Sequence, residues 1–255
     1  MSLSRSPVIF LGPTLNRAKA RMLCDADYRP PAAMGDITRA ASGQPKIIIL
    51  IDGIFEDRPS VWHKEILWAM SNGIAVIGAS SMGALRAAEL SSFGMLGYGE
   101  VYEDYAAGRL TDDDEVAVMH GPEEAHWTPL TDAMVDIRYA VKSAKSLHIL
   151  EDSEAARLVD FCKAQFFKFR SLAGSLEAIL PETRTSQEIA GIKDWFNSRV
   201  IGVKEADCRS LLAGIDALAM VAHARLRNTP TFIPTVYLTR LHSFGFHRSE
   251  QEATW

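Results

Sequence analysis

The sequence predicts an α/β fold with a small parallel β-sheet, and two strands with a helix between them carry that prediction. Lys46–Ile51 is a continuous β-branched run without polar alternation, and such runs are typical of parallel strands buried on both faces. Ile74–Ala79 predicts a second strand. The pattern between them predicts a helix over Val61–Asn72, capped by Ser60 and stopped by Gly73. Strand, helix and strand with short joins form a βαβ unit, whose two strands run parallel.

The rest of the chain extends this layer and then changes to helical periodicity. The further predicted elements are a strand at Pro7–Leu11, a helix from the cap Thr14 to Cys24, extended chain at Tyr28–Pro31, helices at Asp36–Ser42 and Met82–Ser92, a flexible loop marked by Gly94, Gly97 and Gly99, a helix at Glu103–Gly108, a strand at Val116–Met119, and helices over 131–147, 151–164 and 204–226. We therefore expect a Rossmann-like α/β core over residues 1–130. A helical region over 131–255 would pack on that core or extend it.

Composition excludes several classes of protein. The chain has 255 residues, 47% hydrophobic and 23% charged, with a formal net charge of −5. The mild acidity and the lack of a Lys/Arg run argue against nucleic-acid binding. The sequence offers neither a signal peptide nor an apolar run of the roughly 20 residues that a membrane span needs. The three cysteines form no C-x-x-C pair, which suits a cytoplasmic protein without structural zinc.

The turn between the strand Ile74–Ala79 and the following helix is the strongest candidate site. A strand that ends in small residues, then serine, any residue, glycine and a helix, is the layout of a nucleophile elbow. Ser81 is the candidate nucleophile, Gly83 lets the helix pass close to the strand, and the Met82 N–H would be an oxyanion donor. Ser80 leaves the assignment open, since either serine could be the nucleophile. The alternative interpretation is that both serines only cap the helix.

Two kinds of base could serve a serine here. Asp52, at the end of a strand, and one of the histidines His63, His120 and His126 could complete a Ser-His-Asp arrangement. Lys64, which opens the helix after the preceding strand, lies on the same edge of the sheet as Ser81 and is the alternative base. Taken alone, Lys64 is better explained as a solvated residue of a first helical turn.

Other charged groups have simpler interpretations. Arg86 and Glu89 are three residues apart on the elbow helix and can pair on one face. Asp112–Asp113–Asp114 reads as a solvated turn rather than a cation site. We therefore predict no metal and no cofactor.

Long stretches of the first half resemble the TfuA-like family. The resemblance covers residues 7 to 140 closely and rests on Ile51–Phe55, Ser60–Leu67, Gly78–Leu90, Phe93–Met95, Gly97–Gly99 and Asp112–Ala117. The block SSMGALRAAEL is long and unusual, so it carries most of the assignment.

The resemblance implies an activity and partners. TfuA-like proteins act beside YcaO enzymes in making thioamides in peptides or proteins, and the TfuA-like member is thought to hydrolyse the C-terminal thiocarboxylate of a ThiS-like sulfur carrier. A hydrolytic serine–lysine pair is implied. Carried over to this sequence, the serine is Ser81, and the lysine is Lys64 or, as second choice, Lys204. Gly53 or Gly12 would supply a second oxyanion donor.

Two rival functions stay open at this point. One is a scaffold that docks YcaO to its precursor peptide or target protein, with Ser81 only structural. The other is an esterase for small molecules that uses Ser81 and a histidine.

Overall fold

The computed structural model describes residues 6–199, 201–226 and 232–233, and it confirms the predicted parallel sheet flanked by helices. The five strands are β1 (Val8–Phe10), β2 (Asp27–Arg29), β3 (Ile47–Leu50), β4 (Ala75–Ala79) and β5 (Leu96–Tyr98). They lie in the order β2-β1-β3-β4-β5, with all neighbours parallel. Every residue of β1, β3 and β4 is buried, which explains their unbroken apolar sequences.

Helices make up most of the remaining described chain. They are α1 (Arg17–Arg21), α2 (Asp36–Ser42), α3 (His63–Ser71), α4 (Met82–Leu90), α5 (Glu100–Ala106), α6 (Met134–Ser146), α7 (Asp152–Ala164), α8 (Leu172–Ile179), α9 (Ser186–Arg199), α10 (Val203–Ala213) and α11 (Ile215–Leu226). Short 3-10 turns lie at Ser91–Phe93, Asp113–Glu115, Glu123–Ala125, Phe167–Phe169 and Leu180–Glu182. Among the helices described, none combines the length and the apolar content that crossing a membrane requires.

By its contacts the chain forms two compact units. The first consists of residues 1–109 and 207–255, and the second of residues 110–206. The domain boundary near residue 130 stays a prediction.

The first unit has an apolar core on each face of its sheet. On one face, side chains of β1, β3 and β4 pack with α2, α3 and α4. On the other face, Ile9, Ile49 and Ile77 belong to a cluster that includes Leu211 of α10 and Ala222 of α11. The last helices of the chain therefore cover a sheet formed by the first hundred residues.

The second unit has its own core, and a group of ion pairs accompanies it. Helices α6 to α9 share one apolar cluster. Arg170 is fully buried, and its guanidinium donates to the carbonyl oxygens of Cys162, Asp114 and Gln165 and to the Asp114 carboxylate. Because all these acceptors lie on loops or helix ends, Arg170 holds the segment around Asp114 to the end of α7.

Several sequence-based boundaries are wrong, each for a local reason. Helix α1 is capped by Asn16 rather than Thr14, because the Thr14 hydroxyl donates to Asp52. Helix α3 begins at His63 with Trp62 at its N-cap, and Ser60 instead forms a bridge with Ala33.

The glycine-rich stretch after α4 is not a flexible loop. It contains β5, in which Leu96 pairs with Ile77 and Gly97 with Gly78. The next helix then begins at Glu100, earlier than predicted.

The second unit also departs from the prediction. Val116–Met119 is not a strand; it follows the 3-10 turn Asp113–Glu115. Helices α8 and α9 were not predicted, whereas α6 and α7 agree closely with the predicted ranges.

Candidate functional site

The candidate site lies at the carboxyl ends of the strands. In the order β2-β1-β3-β4-β5, the connections of β1 and β3 diverge to opposite directions along the sheet, and ligands of open α/β sheets bind in the crevice outside such a point. The segment Leu11–Thr14 follows β1, Asp52–Gly53 follows β3 and Ser80–Ser81 follows β4. The predicted elbow is thus one strand away from this crevice.

Asp52 binds the loop that borders this crevice. Its carboxylate accepts hydrogen bonds from the Gly12 N–H at 2.8 Å, the Thr14 N–H at 3.1 Å and the Thr14 hydroxyl at 2.6 Å, and the residue is 1% exposed. Asp52 therefore fixes the loop after β1. The Gly12 N–H is committed to this carboxylate, which leaves Gly53 as the freer of the two glycines proposed as oxyanion donors.

The backbone of the elbow is strained at two successive residues. Ser80 has φ +65°, and the Ser81 N–H donates to the Ala79 carbonyl at 2.7 Å, which closes a γ-turn centred on Ser80. Ser81 has φ −126° and ψ −127°, outside the helical and extended regions. A left-handed serine costs about 1–2 kcal/mol, and such strain clusters at functional sites.

Glycines allow the helix to start directly on the strands. A Cβ on Gly83 would lie 2.6 Å from the Leu50 carbonyl carbon, and one on Gly78 would lie 2.7 Å from the Gly83 carbonyl carbon. The Gly83 N–H donates to the Ile51 carbonyl at 3.1 Å. Since only glycine fits at these two positions, the close approach of α4 to β3 and β4 is a direct consequence of the sequence.

The first turn of α4 has an amide without a backbone acceptor in the described part of the chain, and the side chain of the same residue packs against Gly53. The N–H groups of Ala84 and Leu85 donate to the Ser81 carbonyl, whereas the Met82 N–H meets no backbone acceptor among the described residues. A Cβ on Gly53 would lie 2.7 Å from the Met82 Cγ. The structure therefore brings the two residues proposed as oxyanion donors into contact.

Neither serine acts as a side-chain cap. Ser81 occupies the N-cap position of α4 but makes no capping hydrogen bond with its side chain. Ser80 is 0% exposed and Ser81 is 4% exposed. The Ser80 hydroxyl finds no hydrogen-bond partner in the part of the chain that the structure describes.

Lys64 lies in the first turn of α3, the helix that follows β3. Its Nζ lies 5.7 Å from the centre of the Phe232 ring, a cation–π contact. The side chain is half-buried.

A polar network joins α3 to α4. The Arg86 guanidinium donates to the Val61 carbonyl at 3.0 Å, to the Ser60 hydroxyl at 3.3 Å and to Glu89 at 2.7 Å. His63 Nε2 lies 2.8 Å from the same Glu89 carboxylate. Burial raises the pKa of Glu89, but the hydrogen bond with His63 and the charge of Arg86 outweigh it, so the pKa is lowered overall.

This network confirms the predicted pairing of Arg86 with Glu89. It also gives His63 a partner other than Asp52, whose oxygens hold Gly12 and Thr14. No Asp52–His63 hydrogen bond occurs among the described residues, so these two side chains do not form the acid–histidine pair of a Ser-His-Asp arrangement.

Lys204 belongs to the second unit and is 4% exposed. Its Nζ donates to the Val116 carbonyl at 2.9 Å, and its backbone N–H donates to Asp136 at 3.0 Å. Burial raises the pKa of Asp136, and the nearby charge of Lys204 works against that rise.

The acidic turn of the second unit surrounds a lysine. The carboxylate oxygens of Asp112, Asp114 and Glu115 lie within 4.8 Å of one another. The Lys163 ammonium pairs with all three, at 3.0 Å from Asp112 and 3.0 Å from Glu115. A protein cation thus occupies the position that a metal ion would need.

A cavity of about 420 Å³ lies within the second unit. None of the residues proposed for catalysis lines it; its walls are Asp132, Asp136, Ile137, Ala140, Leu172, Ala173, Leu176, Lys193, Phe196, Asn197 and Gly202.

Sequence reasoning missed the roles of two residues that shape the site, Thr14 and Ser60. Thr14 reads as a helix cap in the sequence, yet it binds Asp52. Gly78 is the first residue of the turn that the sequence predicts as the site, and a glycine inside a buried strand indicates the close backbone approach that the structure shows. The role of Ser60 as an acceptor for Arg86 leaves no signal in the sequence.

A comparison with protein families gives a match over the segment that contains this site. Residues 52–171 match the family model described as TfuA-like protein. Residues 52–171 are TfuA-like. The match begins at Asp52 and includes the elbow, α3, α4 and the acidic turn, so the resemblance is confirmed over this stretch; the residues from 7 to 51 lie outside it. No curated protein matches the chain.

Proposed function

We propose that this TfuA-like chain hydrolyses the C-terminal thiocarboxylate of a ThiS-like sulfur carrier and so releases sulfide for a YcaO enzyme that thioamidates a peptide backbone. The single observation that carries the proposal is the strained two-serine turn at the start of α4. Neither serine caps the helix with its side chain, so a purely structural account leaves the strain unexplained.

The reaction needs one nucleophile and two proton transfers. A serine oxygen of the elbow attacks the thiocarboxylate carbon, the C–S bond breaks, and the serine proton leaves on the sulfur as HS⁻. Water then cleaves the acyl-serine ester, which restores the serine and frees the carrier with an ordinary carboxylate.

Both steps pass through a tetrahedral oxyanion. The Met82 N–H at the start of α4 and the N–H of Gly53, which lies against Met82, would stabilise it. The helix dipole favours negative charge at this position.

A lysine would act as the base, and the structure favours Lys64 over Lys204. Lys64 lies in the first turn of the helix that follows β3, at the same edge of the sheet as the elbow. The Lys204 ammonium is buried and already donates to the Val116 carbonyl. A lysine base must lose its proton first, so turnover should rise with pH.

The alternative is a scaffold that docks YcaO to its peptide. One observation favours it: the second unit exposes the aromatic side chains of Phe161, Phe166 and Phe169, the last of them 79% exposed. Exposed aromatic side chains are typical of protein interfaces.

The deciding experiment follows conversion of thiocarboxylated ThiS-like carrier to carboxylate by intact mass, with and without YcaO. We expect wild-type conversion, none in the double variant Ser80→Ala/Ser81→Ala, and loss with Lys64→Ala rather than with Lys204→Ala. Ser71→Ala, at an exposed serine that bonds only to its own helix, is the matched control and should convert normally. Absence of conversion by wild type under both conditions would favour the scaffold.

A further inference from the structure

We infer that Ser80, and not Ser81, is the nucleophile of the elbow. The inference rests on the proposed function and assigns its central residue. It departs from the assignment that the family resemblance implies, so the two serines must be compared on structural grounds.

The backbone distinguishes the two serines. In a nucleophile elbow the serine itself occupies the strained residue of the strand-to-helix turn. Both serines are strained here, but only Ser80 has a positive φ, +65°, at the centre of the γ-turn. Ser81 has negative φ and already holds the N-cap position of α4. Burial does not separate them, because the side chains are 0% and 4% exposed.

The hydroxyl of Ser80 has no structural task. Its oxygen is buried and makes no hydrogen bond within the described chain. A buried hydroxyl without a partner destabilises the folded protein, and a left-handed serine adds to that cost. Glycine would remove both penalties at this position. A task in the reaction would account for a serine at this costly position.

The surroundings of Ser80 fit this role. The glycines that let strand and helix meet, Gly78 and Gly83, enclose the turn on both sides, and each approaches the backbone of its neighbours. Two residues after Ser80 comes the Met82 N–H, which meets no backbone acceptor within the described ranges. The Ser81 N–H, which directly follows Ser80 and would be the usual elbow donor, is committed to the Ala79 carbonyl, so with Ser80 as nucleophile the oxyanion donor has to be the Met82 N–H.

In the resulting step, the acyl group of the carrier is transferred to Ser80 and sulfide leaves. The Ser80 oxygen forms a bond to the thiocarboxylate carbon and the C–S bond breaks. The hydroxyl proton passes through the base to the departing sulfur, which leaves as HS⁻. Water hydrolyses the ester on Ser80 and returns the hydroxyl.

Single substitutions test the assignment with two readouts, carrier conversion and thermal unfolding. Ser80→Gly should unfold at the same temperature as wild type or higher, yet convert carrier at least about 1,000-fold more slowly, as expected for loss of a nucleophile. Ser80→Ala should lose as much activity. Ser81→Ala should lose about tenfold or less, since it borders the oxyanion site, and Ser71→Ala should match wild type.

The opposite pattern overturns the inference. A structural Ser80 would give a Ser80→Gly variant that is more stable and still active, so conversion above a tenth of the wild-type rate would exclude Ser80 as nucleophile. Loss of activity in Ser81→Ala with activity kept in Ser80→Ala would assign the nucleophile to Ser81.

A second probe separates this inference from the proposed function. A fluorophosphonate forms a bond from the serine oxygen to phosphorus with loss of fluoride, and peptide mass mapping locates the adduct. An adduct on Ser80 in a wild-type protein that does not convert the carrier would reject the proposed substrate and support the nucleophile. An adduct on Ser81, or on neither serine, would reject Ser80.

Discussion

At the scale of single residues, three buried carboxylates hold loops and helix starts of the first unit through backbone amides. Asp52 accepts the N–H groups of the loop after β1. Glu65 accepts the Gly35 N–H at 2.8 Å, at the start of α2. Asp207 accepts the N–H groups of Glu100 and Val101, both at 3.0 Å, at the start of α5. Charge is used here to position backbone, so a buried acid in this unit is weak evidence for catalysis.

Asp207 makes stability depend on pH. Burial raises its pKa to about 6, although the two amide hydrogen bonds oppose the rise, and Glu100 and Glu103 add repulsion. The folded protein therefore holds this proton more tightly than the unfolded chain. The resulting stabilisation is complete below pH about 4 and is lost as pH rises through about 6.

We expect wild type to lose up to about 3 kcal/mol relative to Asp207→Asn between pH 4 and 7. Urea unfolding of both proteins across this range measures the difference, and titrating groups that do not interact with Asp207 cancel in it. Parallel stability curves for the two proteins would show that Asp207 has an ordinary pKa.

At the residue scale, the sequence predicts contacts only between residues that are neighbours in the chain. Ser80, Ser81, Met82 and Gly83 could be predicted as one turn. The partners of Asp52 could not, because the hydrogen bonds to Thr14 span 38 residues. Lys204 is a similar case, since its Val116 acceptor lies 88 residues away.

At the scale of secondary structure elements, helix α4 depends on its glycine. Gly83→Ala would place a methyl group against the backbone of β3, which cannot yield as a side chain can. We expect destabilisation of about 3 kcal/mol or more. Gly191→Ala, in the exposed part of α9 where a Cβ meets nothing within 4 Å, should instead stabilise by up to about 1 kcal/mol.

Chemical denaturation of the two alanine variants checks this contrast. A Gly83→Ala protein as stable as wild type would contradict the close approach of α4 to β3. A cost at Gly191 equal to that at Gly83 would indicate a general effect of glycine replacement.

Helices and strands could be predicted where burial produces a regular apolar pattern in the sequence. They could not be predicted where a single contact decides the local structure. Strand β5 has glycine at its centre because a Cβ there would meet the ring of Tyr102, so it reads as a loop in the sequence. Val116–Met119 has the composition of a strand but pairs with no strand among the residues that the structure describes. There the Val116 carbonyl accepts from Lys204 instead of from a neighbouring strand.

At the scale of the whole molecule, the helices α10 and α11, which come late in the chain, cover one face of the sheet. Leu211 is fully buried in the cluster with Ile9, Ile49 and Ile77. The periodicity of residues 204–226 could predict helices. It could not say what they cover, because the matching apolar surface belongs to strands more than a hundred residues earlier.

Leu211→Ala should destabilise the protein by about 2–5 kcal/mol, because it leaves a cavity against the sheet. Met220→Ala, at a side chain that is 70% exposed on the neighbouring helix, should change stability by less than about 0.5 kcal/mol. Urea unfolding midpoints compare the two, and equal values would mean that these helices do not cover the sheet.

The first unit consists of two separate segments of the chain, and this affects its folding during synthesis. A ribosome delivers the five strands first, then residues 110–206, and only then the helices that cover one face of the sheet. At roughly 5–20 residues per second, the intervening segment alone occupies synthesis for roughly 5–20 s. During that interval the nascent chain carries an uncovered apolar sheet, which makes it a natural client for chaperones and makes early termination within the second unit an expected source of aggregates.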